Sequence, residues 1–193
     1  MNIKTNRLLI RKFKYEDWQD VYAYTSDANV MKYIPEGLFS KDDAKKFVNE
    51  NMKGNVRNFP VVLKDEKILI GHIVFFNCFG DHTYEIGWVF NSLYHQKGYA
   101  SEAAKAIVDY GFNTMKLHRI IATCQPENTS SYRVMEKIGM RREGYFKKCI
   151  PTEKEWWDEY YYAILKEEWK WALFLRNCIF RVVKTKTSPI LKK

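Results

Sequence analysis

Apolar residues in the N-terminal third of the chain recur with two different periods. Residues 7–13 have the composition of a strand, whereas residues 15–26 place large apolar side chains on nearby turns of a helix. Residues 35–37 interrupt the pattern with proline and glycine. Ser40 then has the character of an N-cap, followed by acidic residues, so a second helix is predicted to run through Val48.

The remaining two thirds alternate between strand-like and helix-like segments. A hairpin is predicted around residues 65–67, followed by a strand, a helix, a strand, a second helix and a closing hairpin. These segments are residues 59–64, 68–77, 81–90, 101–115, 119–124, 128–138 and 141–165. Because the connections are short, the pattern predicts a single mixed α/β domain over residues 1–171.

Length and charge narrow the class of protein. The 193 residues, 46% of them hydrophobic, suffice for one domain with a substantial core. The net charge is +9, but residues 172–193 supply six of the positive charges and no acidic residue. The rest of the chain is therefore only mildly basic, and a nucleic-acid-binding function for the whole protein is disfavoured.

The segment 172–193 is predicted to be a basic C-terminal extension, helical at first and disordered at its end. Apolar residues give 167–183 a broad helical surface, and 184–193 have the composition of a disordered end. The favoured hypothesis is packing on the domain or on a partner subunit, which leaves a homodimer open. The alternative is an appendage that binds a membrane surface or nucleic acid.

A glycine-containing turn follows the apolar strand that ends at Phe90 and opens the next helix. Its residues are His95, Gln96, Lys97, Gly98, Tyr99, Ala100 and Ser101. Free backbone N–H groups at a helix start, together with the positive end of the helix dipole, suit a pyrophosphate. The glycine spacing fits neither the dinucleotide-binding nor the nucleoside-triphosphate fingerprint.

Three ordered motifs resemble the GNAT superfamily of N-acetyltransferases. The turn resembles its acetyl-CoA pyrophosphate loop, although His95 stands where that loop has Gln or Arg, with Gln96 one place later. Residues 128–140 resemble a family segment with the pattern N-x-x-S-x-x-V-x-E-K-x-G-F. The matching residues are Asn128, Ser131, Val134, Glu136, Lys137 and Gly139, and Met140 stands at the position of the Phe. Residues 142–144 and 157–165 are similar to the closing hairpin of the ribosomal-protein alanine N-acetyltransferase branch.

The resemblance implies a fold and an activity. The fold would be a GNAT-like domain with a mostly antiparallel twisted sheet of six or seven strands, splayed in the middle and flanked by helices on both faces. The activity would be direct transfer of an acetyl group from acetyl-CoA to a primary amine in a ternary complex. The acceptor would be a protein N-terminus or a small amine; the alternative is a non-catalytic acyl-CoA-binding or regulatory module.

Candidate roles follow for the strand before the turn. Glu85 is a candidate general base, because the attacking amine must lose a proton; a cross-strand ion pair is the other interpretation. In the GNAT family the corresponding strand splays away from the neighbouring strand. The resemblance therefore implies that Trp88, Val89 and Phe90 present backbone groups to the pantetheine arm of acetyl-CoA. One of those N–H groups would polarise the thioester carbonyl.

The second motif supplies the remaining candidates. Ser131 occupies the family position for a hydroxyl that assists the leaving thiolate, and Tyr132 is the second candidate. Asn128 has two roles open to it, a helix N-cap and a partner for the pantetheine amides.

The sequence supports neither a metal site nor a disulfide framework. Four histidines are scattered without ligand spacing, and the reaction needs no metal. The four cysteines lie far apart and are expected to be reduced packing residues; they are Cys78, Cys124, Cys149 and Cys178. Without a signal-like segment or a run of about 18 apolar residues, a soluble, cytoplasmic protein is expected.

Overall fold

The computed structural model, which describes residues 1–54, 56–152 and 155–169, contains one eight-stranded sheet. The strand order is β1-β2-β3-β4-β5-β6-β8-β7. The strands are β1 (Ile3–Lys4), β2 (Leu8–Ile10), β3 (Asn58–Leu63), β4 (Leu69–Asn77), β5 (Thr83–Phe90), β6 (Arg119–Cys124), β7 (Arg141–Pro151) and β8 (Trp156–Leu165). The predicted mixed α/β class is confirmed, with eight strands rather than six or seven because β1, a strand of two residues, is added at the N-terminal edge.

Five helices connect the strands, with 3-10 turns at Tyr15–Asp17 and Ser92–Tyr94. The helices are α1 (Trp18–Thr25), α2 (Ala28–Met31), α3 (Lys41–Met52), α4 (Tyr99–Asn113) and α5 (Thr129–Lys137). Ser40 caps α3 as predicted, since its hydroxyl accepts from the Asp43 N–H while the Asp43 carboxylate accepts from the Ser40 N–H. The helix predicted over 101–115 begins two residues earlier, because Gly98 at φ 79° forms its N-cap.

The sheet is antiparallel except where β5 meets β6. These two strands are parallel and pair over only three positions, ending at the Glu85–Ile121 pair. Beyond that pair β5 continues along β4 to Phe90, while β6 continues along β8 to Cys124. The two halves of the sheet therefore diverge, and we call the opening between β5 and β6 the gap.

A glycine keeps the far half of β5 on β4 rather than on β6. A Cβ at Gly71 on β4 would lie 2.4 Å from the carbonyl oxygen of Val89 and 2.8 Å from the Cα of Phe90. Only a residue without a side chain permits this approach. Gly71 thus allows the close β4–β5 pairing that leaves the gap open.

Two apolar cores cover opposite faces of the sheet. On one face α1 and α3 pack over a core that includes Val21, Val48 and Val89. On the other face α4 and α5 pack over the larger core, which includes Ile86 and Ile120. Side chains alternate along β5, so even-numbered residues from Ile86 onward face α4 and α5, and odd-numbered residues face the other side.

The described chain ends in a helical segment that packs on the domain. Residues 166–169 are helical, and the Trp169 indole N–H donates to Asp109 Oδ1 at 3.2 Å. The rest of the predicted helix 167–183, the tail 184–193 and Cys178 lie outside the described residues. Within the residues that the structure describes, no helix is long and apolar enough to cross a membrane.

A buried histidine should make the stability of the fold depend on pH. His72 lies in the core beneath α1, where its Nδ1 is 2.8 Å from the Tyr24 hydroxyl, and burial lowers the pKa of His72 to about 3. In the unfolded chain this histidine has a pKa of about 6.5, so between these values only the unfolded state takes up the proton. We expect this group to lower the free energy of unfolding by about 1.4 kcal/mol for each unit that the pH falls below 6.

Urea unfolding of His72→Gln at several pH values between 7 and 4 tests this expectation. The slope of unfolding free energy against pH should be shallower than in the unsubstituted protein, because the titrating group is gone. His82→Gln is the control, since His82 is exposed. An unchanged slope in His72→Gln would show that His72 is not the group responsible.

Candidate active site

The turn at residues 95–101, which we call the coenzyme turn, exposes unpaired backbone donors. The first intrahelical bond of α4 runs from the Glu102 N–H to the Gly98 carbonyl oxygen at 3.0 Å, so the N–H groups of Tyr99, Ala100 and Ser101 precede it. Gly98, the N-cap residue, has no side chain that could accept from these N–H groups. These groups and the positive end of the helix dipole form a place for an anion.

One side chain of the turn fastens it to β5, and two others face solvent beside it. A ring nitrogen of His95 lies 2.8 Å from the Phe90 carbonyl oxygen, which fastens the turn to the end of β5. Gln96 adopts a positive φ of 60°, and the Lys97 ammonium lies 5.3 Å from the centre of the Tyr94 ring. Both side chains are exposed and free to approach a ligand from solvent.

The backbone N–H and C=O groups of successive β5 residues point alternately toward β4 and into the gap. The Asn91 N–H donates to a carbonyl oxygen of β4 at 2.9 Å, whereas the Phe90 carbonyl faces away from β4 toward His95. By this alternation Val89 directs its backbone to β4, and Trp88 directs its N–H and C=O into the gap. Trp88 and Phe90 are thus the residues of the predicted trio whose backbone N–H groups face the opening, whereas that of Val89 does not.

Glu85 lies at the last β5–β6 pair, on the face opposite α4 and α5. Its carboxylate accepts from the Thr123 hydroxyl at 3.3 Å, and Thr123 also interacts with Glu159 on β8. Burial raises the pKa of Glu85, and the Glu159 charge raises it further. Among the described residues Glu85 makes no ion pair, so the cross-strand ion pair is not observed.

The predicted residues of the second motif lie at the start of α5. The Asn128 Oδ1 accepts from the Ser131 N–H at 3.2 Å, which confirms Asn128 as the N-cap. Ser131 is half-buried and its hydroxyl interacts with the thiol of Cys124 on β6. Tyr132 packs edge-on against Tyr160, with ring centres 6.1 Å apart.

Glu85 and Ser131 belong to opposite faces of the sheet. Glu85 faces the side of α1 and α3, whereas Ser131 projects from α5 onto the other side. Within a continuous sheet two such residues could not act on one group. The gap begins directly after Glu85, so from this point paired strands no longer separate the two faces.

The segment around α2 spans the two sides of this opening. The Ser92 hydroxyl, after β5, donates to Asp27 Oδ2 at 2.9 Å, and the Tyr33 hydroxyl donates to the Glu127 carbonyl oxygen, after β6, at 3.2 Å. No local sequence pattern signals these contacts, because they join residues 65 and 94 positions apart.

Sequence reasoning also missed the partners of Glu102 in α4. The Thr5 hydroxyl donates to Glu102 Oε1 at 2.6 Å, and the Arg7 Nε donates to Glu102 Oε2 at 2.7 Å. No local motif signals these contacts, because the residues are 95 or more positions apart.

The cysteines are partly as predicted. Cys78, Cys124 and Cys149 are free thiols; Cys124 is buried and Cys78 half-buried. Cys149 is exposed on β7, so the prediction that it is a packing residue is wrong. Within the described part of the chain, no group of three or more His, Cys, Asp or Glu side chains could hold a metal ion.

Comparison with known proteins places this geometry in a family. The acetyltransferase (GNAT) domain family matches residues 7–141, more than half of the chain. The uncharacterized N-acetyltransferase YnaD of Bacillus subtilis (strain 168) is 72% identical over 169 residues, which cover 88% of this chain and 99% of YnaD. A crystal structure of a GNAT-family acetyltransferase from Bacillus anthracis is 71% identical with a TM-score of 0.84, covering 86% of this chain and 99% of that one.

The predicted likeness to the ribosomal-protein alanine acetyltransferases is also confirmed. The ribosomal protein uS5-alanine N-acetyltransferase of Escherichia coli (strain K12) is 29% identical over 183 residues, which cover 88% of this chain and 93% of that protein. YnaD is the more similar of the two curated relatives. The chain therefore belongs to the GNAT family of acetyltransferases and is an N-acetyltransferase.

Proposed function

We propose that this N-acetyltransferase moves the acetyl group of acetyl-CoA directly to a primary amine while both substrates are bound. GNAT acetyltransferases use acetyl-CoA. The observation that supports the mechanism is the gap, which begins directly after Glu85 on one face of the sheet, while Ser131 lies at the start of α5, after β6, on the other face. A thioester in this opening would meet a base and a hydroxyl from opposite sides.

The coenzyme would be held by backbone groups more than by side chains. The free N–H groups of Tyr99, Ala100 and Ser101 would bind the diphosphate, with Gln96 and Lys97 beside it. The pantetheine arm would follow β5, where Val89 and Phe90 form the strand end. Asn128 uses its Oδ1 as the helix cap, so its Nδ2 would donate to a pantetheine amide.

Three groups would act during transfer. Glu85 would take the proton of the attacking amine, which is mostly protonated at neutral pH. The Trp88 N–H would stabilise the negative charge that develops on the thioester oxygen. The Ser131 hydroxyl would donate to the leaving thiolate, with Tyr132 as the second candidate.

The thiols near the site favour direct transfer over an acyl-enzyme. Burial raises the pKa of Cys124 to about 11, and burial likewise raises the pKa of Cys78. At neutral pH both groups are protonated, and a protonated thiol is a poor nucleophile. Neither cysteine is therefore prepared to accept the acetyl group.

The electrostatics of the open face support a cationic acceptor. Glu85 and Glu159 share the Thr123 hydroxyl, and burial raises the pKa of both carboxyl groups. A protonated amine that approaches these carboxylates would be attracted and then deprotonated. The likeness to the uS5-alanine enzyme supports a protein N-terminal amine, and a polyamine or another small amine is the competing class.

The acceptor class can be tested with the purified protein and acetyl-CoA. Peptides with free N-termini should release free CoA thiol faster than the same peptides with acetylated N-termini. A polyamine and an aminoglycoside complete the panel, and mass spectrometry locates the acetyl group. Thiol release with polyamines but not with peptides would contradict the N-terminal acceptor, and binding of acetyl-CoA without any turnover would support the regulatory alternative.

Glu85→Gln should remove the base without removing the coenzyme site. We expect kcat to fall about 100-fold or more, because a general base contributes roughly 10²–10⁴-fold. In the unsubstituted protein kcat/KM should rise with pH through the raised pKa of Glu85, since the base works only when it is ionised. This rise of kcat/KM with pH should be absent from Glu85→Gln, whereas the rise caused by deprotonation of the acceptor amine should remain.

Glu159→Gln is the matched variant for this pH profile. The substitution removes the Glu159 charge, which raises the pKa of Glu85. The rise of kcat/KM that reports Glu85 ionisation should therefore occur at lower pH. A Glu85→Gln profile that keeps this rise, or a Glu159→Gln profile in which it moves to higher pH, would contradict the assignment of Glu85 as the base.

Ser131→Ala should lower turnover more than coenzyme affinity. The hydroxyl would act on the thiolate that forms during the reaction, so its loss should reduce kcat while the calorimetric Kd for CoA stays within about twofold. Thr129→Ala on the same helix is the control, since Thr129 is exposed. Equal losses of affinity and turnover would indicate a structural role for Ser131.

A further inference from the structure

Arg7 joins the N-terminal edge of the sheet to the coenzyme turn. It lies between β1 and β2, and its Nη1 donates to the Lys97 carbonyl oxygen at 3.0 Å. Its guanidinium carbon lies 4.3 Å from the centre of the Tyr99 ring. A Cβ at Gly98 would lie 3.6 Å from Arg7 Nη2, so the guanidinium rests against the backbone of the turn.

Glu102, in the first turn of α4, is the second partner of Arg7, and its charge bears on whether an anion can bind at the start of that helix. Besides the bond from Nε, the Arg7 backbone N–H donates to Glu102 Oε1 at 2.9 Å. Burial alone would raise the pKa of Glu102, but hydrogen bonds from Thr5 and Arg7 lower it below its ordinary value. Glu102 is therefore an ionised carboxylate in the first turn of α4.

An unpaired carboxylate at this place would oppose the proposed ligand. The positive end of α4 favours negative charge, and an ionised side chain there competes with a diphosphate for the same field. The Arg7 guanidinium offsets the charge of Glu102 through its Nε–H, and the fixed geometry of the same group directs Nη1 to the Lys97 carbonyl oxygen. The helix start is thereby left available for an external anion.

We propose that Arg7 is a positioning residue for the coenzyme turn, which fixes the backbone at Lys97 and Gly98 and neutralises Glu102 so that the turn accepts the diphosphate of CoA. This inference rests on the proposed coenzyme site. Arg7 acts through the turn and through Glu102 rather than by chemistry on the acetyl group. Its loss should therefore change the Kd for CoA, while kcat at saturating acetyl-CoA changes little.

Calorimetry with CoA as the ligand tests the proposal in three variants. Arg7→Gln should weaken CoA binding about tenfold or more, because the turn is released and Glu102 loses its cationic partner, keeping only the neutral donors of Thr5 and of the residue 7 backbone. The double variant Arg7→Gln with Glu102→Gln should recover part of this loss, because the repelling carboxylate is gone. Arg7→Lys, which keeps the charge but not the fork of donors, should bind between Arg7→Gln and the unsubstituted protein.

Arg141→Gln is the matched control for a general loss of stability. Arg141 is paired with Glu143 and Glu168 and is 45% exposed, close to the 42% of Arg7, but it lies on β7 at the opposite edge of the sheet. Its CoA affinity should equal that of the unsubstituted protein. Melting temperatures measured on every variant confirm that folded proteins are being compared.

Dephospho-CoA, which keeps the diphosphate but lacks the 3′-phosphate, shows which of these two groups the effect of Arg7 concerns. The fold-loss in Arg7→Gln should be the same for both ligands, and a loss confined to CoA would contradict a role at the diphosphate. Unchanged CoA affinity in Arg7→Gln, or no recovery in the double variant, would overturn the inference while leaving the coenzyme site intact. Failure of the unsubstituted protein to bind CoA would overturn the proposed site itself.

Discussion

The divergence of β5 and β6 after three paired residues is the constraint on which the rest of the structure depends. Each strand keeps a full partner on its other side, β4 for β5 and β8 for β6, so the opening does not leave either half unsupported. Gly71 permits the close contact that holds β5 to β4. The outcome is a continuous sheet whose middle pair of strands separates beyond Glu85, with β5 held by β4 and β6 held by β8.

The two faces bring different chemistry to that space. The face of α4 and α5 supplies two helix N-termini. The one at Gly98 has no side-chain cap, and the one at Asn128 is capped by the Asn128 side chain, which accepts from the Ser131 N–H. The other face supplies Glu85 and Glu159, whose burial raises their pKa values toward the range of a useful base. In the proposed function, the helix dipoles that would attract the coenzyme and the carboxylates that would attract the amine lie on opposite faces of the sheet.

Local features could be predicted from the sequence, whereas long-range partners could not. The Ser40 cap, the Asn128 cap and the glycine turn each depend on residues within a few positions, and the resemblance to GNAT enzymes implied the splayed sheet. Glu159 and Arg7 were missed, because their contacts depend on strand register or join distant residues. β1 was missed because two residues carry no periodic pattern.

The most direct measurement is a crystal structure of the protein with acetyl-CoA bound. The account predicts that the diphosphate lies on the N–H groups at the start of α4 and that the thioester enters the gap beside the Trp88 backbone. Glu85 and Ser131 should then approach the thioester from opposite faces of the sheet. A pantetheine arm that runs across the outside of the sheet, with the thioester remote from Glu85, would contradict the account.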